Sequence, residues 1–372
     1  MRNILSRWVR TINSPSYVIF FVTAKCNAKC KMCFYKDNMD AADQAGNELT
    51  IDEYQKIAKN IKSINILGIS GGEPFLREDL AEVIKVIYDN CSPLVVDLPT
   101  NGFFVKSVLR QAEEVARACP NMIIDLQLSI DGPEEVHNDI RGLKDGYARV
   151  KEAYRGLVLL KKKYKNLKVK ACVVYSHYNQ DHMTELFSIL GRDFSELDRV
   201  VFSVVHGSVS NEEALKFDWE RYFEFCEKLK NRSTVKRFTD FHSLFTIALR
   251  IVKNSYLKQL LKTKDMHKRC KAGKRVIVIN ETGKVFPCEP LWFPVGDLRA
   301  NGYNLNEVLN SKEMKEYQIN MLKNKCNCHW GLPMSNTLIY SPKYYPKILS
   351  EMAGVIKRSR DLDRKKNTAY AN

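Results

Sequence analysis

Three closely spaced cysteines near the start of the chain constrain its fold and chemistry more than any other feature. Cys26, Cys30 and Cys33 have the spacing C-x3-C-x2-C and follow an apolar, strand-like segment at 17–22. At the end of a strand, this spacing can direct three thiolates to one point. Three ligands on a four-iron cluster leave one iron open for chemistry. The alternatives are three unrelated thiols or a structural zinc site, which usually uses C-x2-C pairs. The spacing therefore predicts a [4Fe-4S] cluster.

Apolar runs of strand character alternate with helical stretches through the first half of the chain. The runs after the first lie at 64–70, 94–99, 123–130, 169–175 and 200–206. Such alternation indicates parallel strands joined by right-handed crossovers. Six units between about residues 14 and 210 predict an α/β fold, a partial (β/α)6 TIM-like barrel, with its active site at the carboxyl ends of the strands.

Small and polar residues follow the second, third and fourth of these runs. They are Gly71, Gly72, Glu73 and Pro74, then Thr100, then Ser129 and Asp131, and later Arg141. Glycines let backbone groups approach a ligand closely. Residues two apart in a strand share one face, so the Ser129 hydroxyl and the Asp131 carboxylate together suit the hydroxyls of a ribose. The Arg141 guanidinium suits a carboxylate. The alternatives are an ordinary Gly-Pro turn and a solvated loop arginine.

Together, these motifs resemble the radical S-adenosylmethionine (radical SAM) superfamily. The resemblance implies that the open iron chelates the methionine part of SAM, and that an electron from the cluster cleaves SAM to a 5′-deoxyadenosyl radical. It also implies that the Gly71–Pro74 run binds the SAM amine, that Thr100, Ser129 and Asp131 belong to the cofactor site, and that Arg141 meets the SAM carboxylate. The position before the last cysteine, often aromatic in the family, is Met32.

A second cysteine region follows two helical stretches. Two short strands, joined by a turn at 280–283, predict a hairpin that would bring the flanking Cys270 and Cys288 together, and Cys326 and Cys328 close the region. The region resembles the C-terminal extension called SPASM or, in its shorter form, twitch. Four cysteines indicate an α+β twitch domain with a second, auxiliary [4Fe-4S] cluster. Its final C-x-C departs from the C-x2-C of aminocyclitol-dehydrogenase relatives. His329 is a substitute ligand to consider, and structural zinc is the alternative.

Glu289 directly follows Cys288. In sulfatase-maturating relatives an acidic residue follows the corresponding cysteine and takes a proton from the substrate. The resemblance therefore implies that Glu289 is a catalytic base. The alternative is a solvated Glu-Pro turn at a strand end.

Composition and charge bear on organisation and partners. The predicted segments are an amphipathic stretch 1–13, the radical SAM core 14–210, a helical connection 211–265, the twitch domain 266–340 and a basic helix and tail 341–372.

The net charge is +16, with eight Lys or Arg in 151–170 and eight in 341–372. A solvated helix face is the commoner origin of such runs, so we do not expect nucleic acid as a partner. Two terminal stretches carry apolar stripes, Ile4, Leu5, Trp8, Val9 and Ile12 in the first and Tyr345, Ile348, Leu349, Met352 and Ile356 in the second. Peripheral membrane contact through these stripes is an alternative to their packing against the barrel or the twitch domain. With no signal peptide or apolar span, we predict a cytoplasmic protein.

The sequence thus predicts a radical SAM enzyme that oxidises or epimerises a sugar, an aminocyclitol or a glycan-like molecule. The alternative within the superfamily is modification of a ribosomally made peptide or protein side chain. A peptide-binding domain is not evident before residue 14, which favours the small substrate. A tRNA-modifying enzyme and an iron–sulfur electron carrier are alternatives from other classes. We expect an electron donor such as flavodoxin or ferredoxin.

Overall fold

The computed structural model describes residues 15–40, 47–61, 63–231, 241–263, 270–323 and 328–369. The predicted N-terminal segment 1–13 and Cys326 lie outside the described residues. The chain divides into two compact units. The first contains residues 1–217 and 272–320, and the second contains 218–271 and 321–372.

The first unit is built on a parallel sheet. Its strands are β1 (Tyr17–Thr23), β2 (Ile66–Gly71), β3 (Val95–Thr100), β4 (Ile123–Ser129), β5 (Leu167–Tyr175) and β6 (Arg199–Val204). The helices between them are α1 (Lys36–Asp40), α2 (Ile51–Lys59), α3 (Leu80–Cys91), α4 (Val105–Ala118), α5 (Glu134–Arg141), α6 (Gly146–Lys163) and α7 (Met183–Asp193). These six strands lie side by side in chain order, and β6 forms an open edge. The predicted partial barrel is confirmed.

The two faces of the sheet differ in polarity because successive side chains of a strand point to opposite sides. In β4, Leu126 and Leu128 are fully buried, whereas Asp125, Gln127 and Ser129 alternate with them. Helix packing covers the apolar face. The other face carries polar groups, so it forms the inner wall of the barrel.

A hairpin extends the sheet beyond β1. It consists of β7 (Val276–Ile279) and β8 (Lys284–Phe286), followed by β9 (Gly296–Asp297), α10 (Leu305–Asn310) and α11 (Lys312–Lys323). The Asn280 side chain accepts backbone N–H bonds from Thr282 and Lys284, which closes the predicted turn. β7 pairs in parallel with β1. The hairpin therefore belongs to the same compact unit as the barrel.

The second unit is helical. Its helices are α8 (Trp219–Asn231), α9 (Phe241–Thr263), α12 (Gly331–Ile339) and α13 (Tyr345–Ala369). Ile348 and Met352 of the apolar stripe on α13 are buried, whereas Leu349 is 63% exposed. Packing therefore accounts for part of this stripe. Within the described residues, no helix has the length and apolar content that crossing a bilayer requires.

The basic stretch on α6 is largely neutralised by neighbouring acids. Lys161 pairs with Asp198 at 3.3 Å, and Lys163 pairs with Glu113 at 2.6 Å. Such pairing reduces the positive field that a polyanion would meet.

Candidate active site

The three predicted cluster ligands lie in the loop 24–35 that follows β1, and all three thiols are half-buried. The end of α5 supports one side of this loop, since Lys29 donates its backbone N–H to the carbonyl of Arg141 at 3.1 Å. That carbonyl is among those a helix end leaves unpaired. On another side, the Ser210 hydroxyl donates to the carbonyl of Cys30 at 2.8 Å. The loop is therefore held by elements from distant parts of the chain.

Two glycines at the end of β2 pack directly against the chain that enters this loop. A Cβ on Gly71 would lie 2.3 Å from the carbonyl oxygen of Thr23, and one on Gly72 would lie 2.0 Å from that of Lys25. Gly72 also donates its N–H to Thr23 at 2.8 Å. The close approach that glycine permits is thus to the backbone just before Cys26.

Glu73 is a buried carboxylate, 2% exposed, at the carboxyl end of β2. It accepts hydrogen bonds from the Thr100 hydroxyl at 2.8 Å and from the backbone N–H groups of Asn101 at 2.7 Å and Phe75 at 3.2 Å. Burial raises its pKa to about 7 although these donors favour the charged form. Glu73 therefore joins the ends of β2 and β3.

A buried ion pair joins the end of β4 to α5. Asp131 is 0% exposed, and its Oδ2 accepts a hydrogen bond from Arg141 Nε at 2.7 Å. Its Oδ1 accepts the backbone N–H of Val174 at 3.0 Å. Arg141 Nη1 in turn donates to Cys30 Sγ at 3.7 Å. The carboxylate of Asp131 is thus bonded to protein on both oxygens, while Ser129, two residues earlier, is half-buried.

The predicted ligand set therefore lies at one end of the parallel strands. It comprises Cys26, Cys30, Cys33, Gly71, Gly72, Glu73, Pro74, Thr100, Ser129, Asp131 and Arg141. The individual roles of these residues stay predictions.

The chemistry of the thiols fits an iron–sulfur cluster. A four-iron cluster takes one thiolate per iron, and three half-buried thiols in one loop would supply three of its ligands. Burial and the nearby Cys30 and Cys33 raise the pKa of Cys26 to about 12. Iron would reverse that shift because a coordinating thiol is deprotonated.

Glu289 lies at the same end of the barrel. It is 8% exposed, and its Oε2 is 3.5 Å from Nε2 of His206, which follows β6. The His206 ring stacks on Phe34, with 5.4 Å between ring centroids, and Phe34 adjoins Cys33. Sequence reasoning missed His206. The available signal was a histidine that ends a strand-like run, at the position where barrel active sites lie.

The described auxiliary cysteines include members of both compact units. Cys288 is buried in the first unit, where the Tyr317 hydroxyl donates to its sulfur at 3.4 Å. Cys270 and Cys328 belong to the second unit, where Cys328 Sγ accepts the Trp330 N–H at 3.1 Å. The predicted ligation of one auxiliary cluster by these residues stays a prediction.

The inner wall of the barrel carries a network of polar side chains. The Tyr17 hydroxyl reaches across β2 to Asp97 at 2.5 Å. It can cross because position 68 is glycine, where a Cβ would lie 2.7 Å from the Tyr17 ring. Gln127 also donates to Asp97, at 3.1 Å. Beside them, Lys170 forms a buried ion pair with Asp125, whose Oδ1 has no hydrogen-bond partner in the described part of the chain.

Two family profiles match the chain. The profile described as the radical SAM superfamily matches residues 20–190, and the SPASM profile, described as an iron–sulfur cluster-binding domain, matches residues 270–329. The AdoMet-dependent heme synthase of Methanosarcina barkeri is 27% identical over 84% of this chain and 88% of its own length. The PqqA peptide cyclase of Bradyrhizobium diazoefficiens is 32% identical over 39% of this chain and 34% of its own length.

Solved structures share the fold at lower identity. The structure of anSMEcpe with bound AdoMet and the Kp18Cys peptide has a TM-score of 0.58 and 19% identity, over 96% of this chain and 100% of that one. The structure of Streptococcus suis SuiB bound to the precursor peptide SuiA has a TM-score of 0.57 and 16% identity, over 92% of this chain and 77% of that one.

Proposed function

The chain is a radical SAM superfamily enzyme with a SPASM iron–sulfur domain, and on that premise we propose that it oxidises or epimerises a hydroxyl-bearing carbon of a sugar, an aminocyclitol or a glycan-like substrate. Its cofactors are a [4Fe-4S] cluster, SAM and auxiliary iron–sulfur binding by the SPASM domain. The 5′-deoxyadenosyl radical would take a hydrogen atom from the carbon and become 5′-deoxyadenosine. For oxidation, the substrate radical would then give an electron to the auxiliary cluster and its hydroxyl proton to a base, forming a carbonyl. For epimerisation, a hydrogen-atom donor of the thiol class would instead return hydrogen to the other face.

We propose that Cys26, Cys30 and Cys33 hold the first cluster. When bound, this cluster supplies the electron that cleaves SAM reductively. The protein's own contribution is orientation and exclusion of water. The carbonyl partners at the end of α5 and the Ser210 hydroxyl hold the cysteine loop, while the proposed SAM ligands Glu73 and Arg141 are fixed by hydrogen bonds to protein.

The polar inner wall is the observation that supports a hydroxyl-bearing substrate. It contains two carboxylates, each with a donor beside it. Asp97 accepts a hydrogen bond from the Gln127 amide, and Asp125 pairs with the Lys170 ammonium. A hydroxyl donates one hydrogen bond and accepts others, so it can be bound between such acceptors and donors. The Oδ1 of Asp125 is a buried acceptor that has no hydrogen-bond partner in the described part of the chain.

We propose Glu289 as the base that takes the substrate proton. Two observations support the proposal: Glu289 is buried, and its carboxylate lies 3.5 Å from His206, which follows β6. With the true substrate, Glu289→Gln should still form 5′-deoxyadenosine, while the oxidised product falls by roughly 10²-fold, the scale of a lost general base. The exposed Glu307, changed to Gln, is the matched control and should leave the yield unchanged. Normal product formation by Glu289→Gln would refute the assignment.

A ribosomal peptide or protein side chain is the second candidate substrate. The similarity to a peptide cyclase and to structures that contain peptides supports it. The discriminating experiment incubates the anaerobically reconstituted enzyme with SAM, reductant and deuterated candidates of each class. Deuterium in 5′-deoxyadenosine would identify the class that donates the hydrogen atom. Transfer from a sugar or aminocyclitol is expected, and transfer from peptides alone would refute the proposed class.

We further propose one auxiliary [4Fe-4S] cluster, held by Cys270, Cys288, Cys326 and Cys328. We expect flavodoxin or ferredoxin as the electron donor and a cytoplasmic location, where thiols stay reduced. Peripheral membrane contact would involve exposed apolar side chains such as Leu349 on α13.

A further inference from the structure

One ion pair connects the inner end of β4 to a proposed cluster ligand. Arg141 is bonded to Asp131 through Nε at 2.7 Å and Nη2 at 2.5 Å, and its remaining Nη1 donates to Cys30 Sγ at 3.7 Å. The Arg141 side chain is 13% exposed. The guanidinium thus presents two donors to a carboxylate and one to a sulfur atom.

Further hydrogen bonds to protein hold Asp131 in its position beside Arg141. Its second oxygen accepts the Val174 N–H at 3.0 Å, and its carbonyl accepts the amide of Asn179 at 2.9 Å. Its own N–H lies 3.3 Å from Nδ1 of His137. Every polar group of Asp131 is therefore engaged by protein, with none of its side chain exposed.

We propose that Asp131 is a positioning residue that directs the Arg141 guanidinium at the Cys30 sulfur, and that this contact sets the reduction potential of the first cluster. The role replaces the ribose contact that the sequence predicts for Asp131. It rests on the proposed assignment of Cys30 as a cluster ligand.

The physical reason lies in the charge that reduction adds. A hydrogen bond from a cation to a ligand sulfur stabilises the more negative, reduced cluster, and such bonds are among the factors that set iron–sulfur potentials. Nε and Nη2 of Arg141 both contact the same oxygen, Oδ2 of Asp131, and this forked, charge-assisted contact orients the guanidinium. Without the carboxylate, the long arginine side chain would sample other rotamers, and the bond to sulfur would weaken.

The test uses two variants of the full-length protein and one control. Asp131→Asn keeps an acceptor for Val174 but removes the charge that holds Arg141. Arg141→Lys keeps a cation beside Asp131 but loses the planar fork that also reaches Cys30. Asp139→Asn is the control, because Asp139 is 61% exposed and pairs at 2.7 Å with Lys31, so it joins the same helix to the same loop without contacting sulfur.

The measurement is an anaerobic redox titration of the reconstituted proteins, followed by electron paramagnetic resonance. The signal to follow is the one that changes when SAM is added to the wild-type protein, and its potential is then measured in every variant without SAM. In both test variants the equilibrium constant for reduction should fall about tenfold, a shift of about 59 mV for one electron, while Asp139→Asn stays at the wild-type value. If Asp131→Asn fails to fold, Arg141→Lys decides alone.

An unchanged potential in the folded variants would overturn the inference, as would an equal shift in Asp139→Asn. Both results leave the proposed function intact, provided that the wild type cleaves SAM. A wild-type protein without a SAM-responsive signal would instead refute the cluster assignment and, with it, this inference.

Discussion

Replacing Gly72 with Ala tests how the end of β2 fixes the cysteine loop. The added Cβ would lie 2.0 Å from the Lys25 carbonyl oxygen and 2.5 Å from its carbon. Both atoms are backbone, so no side-chain rotation can relieve the contact. Gly72 does not have a positive φ angle, so the substitution adds steric overlap without the strain of a left-handed backbone.

The magnitude follows from what must move. Either β2 or the loop has to shift, which would break the Gly72–Thr23 bond at 2.8 Å and strain the Glu73–Lys25 bond at 2.9 Å. Each hydrogen bond contributes about 0.5–1.5 kcal/mol net, and overpacking costs about 1–3 kcal/mol. We therefore expect a loss of about 2–5 kcal/mol in the free energy of unfolding.

Denaturant unfolding of the iron-free protein and iron analysis after reconstitution measure the effect. Since Lys25 precedes Cys26, Gly72→Ala should also lose roughly half of its iron, the share of one of two four-iron clusters. Gly191→Ala is the matched control, because the residue is in a helix and its added Cβ would have no atom within 4 Å other than those of its chain neighbours and its own helix backbone. The control should gain about 0.5–1 kcal/mol. Wild-type stability and iron content in Gly72→Ala would refute the reasoning.

Three further predictions concern the cluster, acid stability and SAM affinity. Replacing the three loop cysteines with Ala should reduce the iron content from about eight to about four per chain and abolish SAM cleavage; full iron content would contradict the assignment. Hydrogen bonds from Arg299 lower the pKa of Glu53 to about 2, so the stability from this pair is complete above pH 4.5 and is lost as the pH falls toward 2. Between pH 4.5 and pH 2, the loss in free energy of unfolding should therefore be smaller in Glu53→Gln than in the wild type, by about 1–3 kcal/mol after allowance for solvent screening. The charge of Glu73, whose pKa is raised to about 7 by burial, is lost below neutral pH; calorimetry should find that SAM affinity falls about tenfold more from pH 8 to pH 6 in the wild type than in Glu73→Gln.

Local patterns in the sequence were sufficient to identify the barrel and to predict which of its ends carries the active site. Alternation between strand and helix periods is a property of neighbouring residues, and it predicted the order of β1 to β6. The cysteine triplet and the Gly71–Pro74 run are similarly local, since each depends on residue types at fixed spacing. The family resemblance followed from these motifs before any long-range contact was known.

Long-range contacts could not be derived in this way. The Asp131 carboxylate suited a ribose hydroxyl by residue type, but the fold places Arg141 and the Val174 N–H against its two oxygens. Likewise, Gly72 suggested approach to a ligand, while the structure shows approach to the Lys25 carbonyl. Which partner reaches a polar group depends on the packing of distant segments, and the sequence pattern around that group does not encode it.

The sequence by itself thus determined the order of the strands, and it predicted which cysteines bind iron and at which end of the barrel the active site lies. Only the tertiary structure decided that His206 contacts Glu289, that Tyr17 reaches Asp97 across Gly68, and that the hairpin continues the barrel sheet through β7 and β1. The physical reason is that periodicity and motif spacing act between residues close in the chain. Pairing across a sheet and burial of charges instead depend on how the whole chain packs.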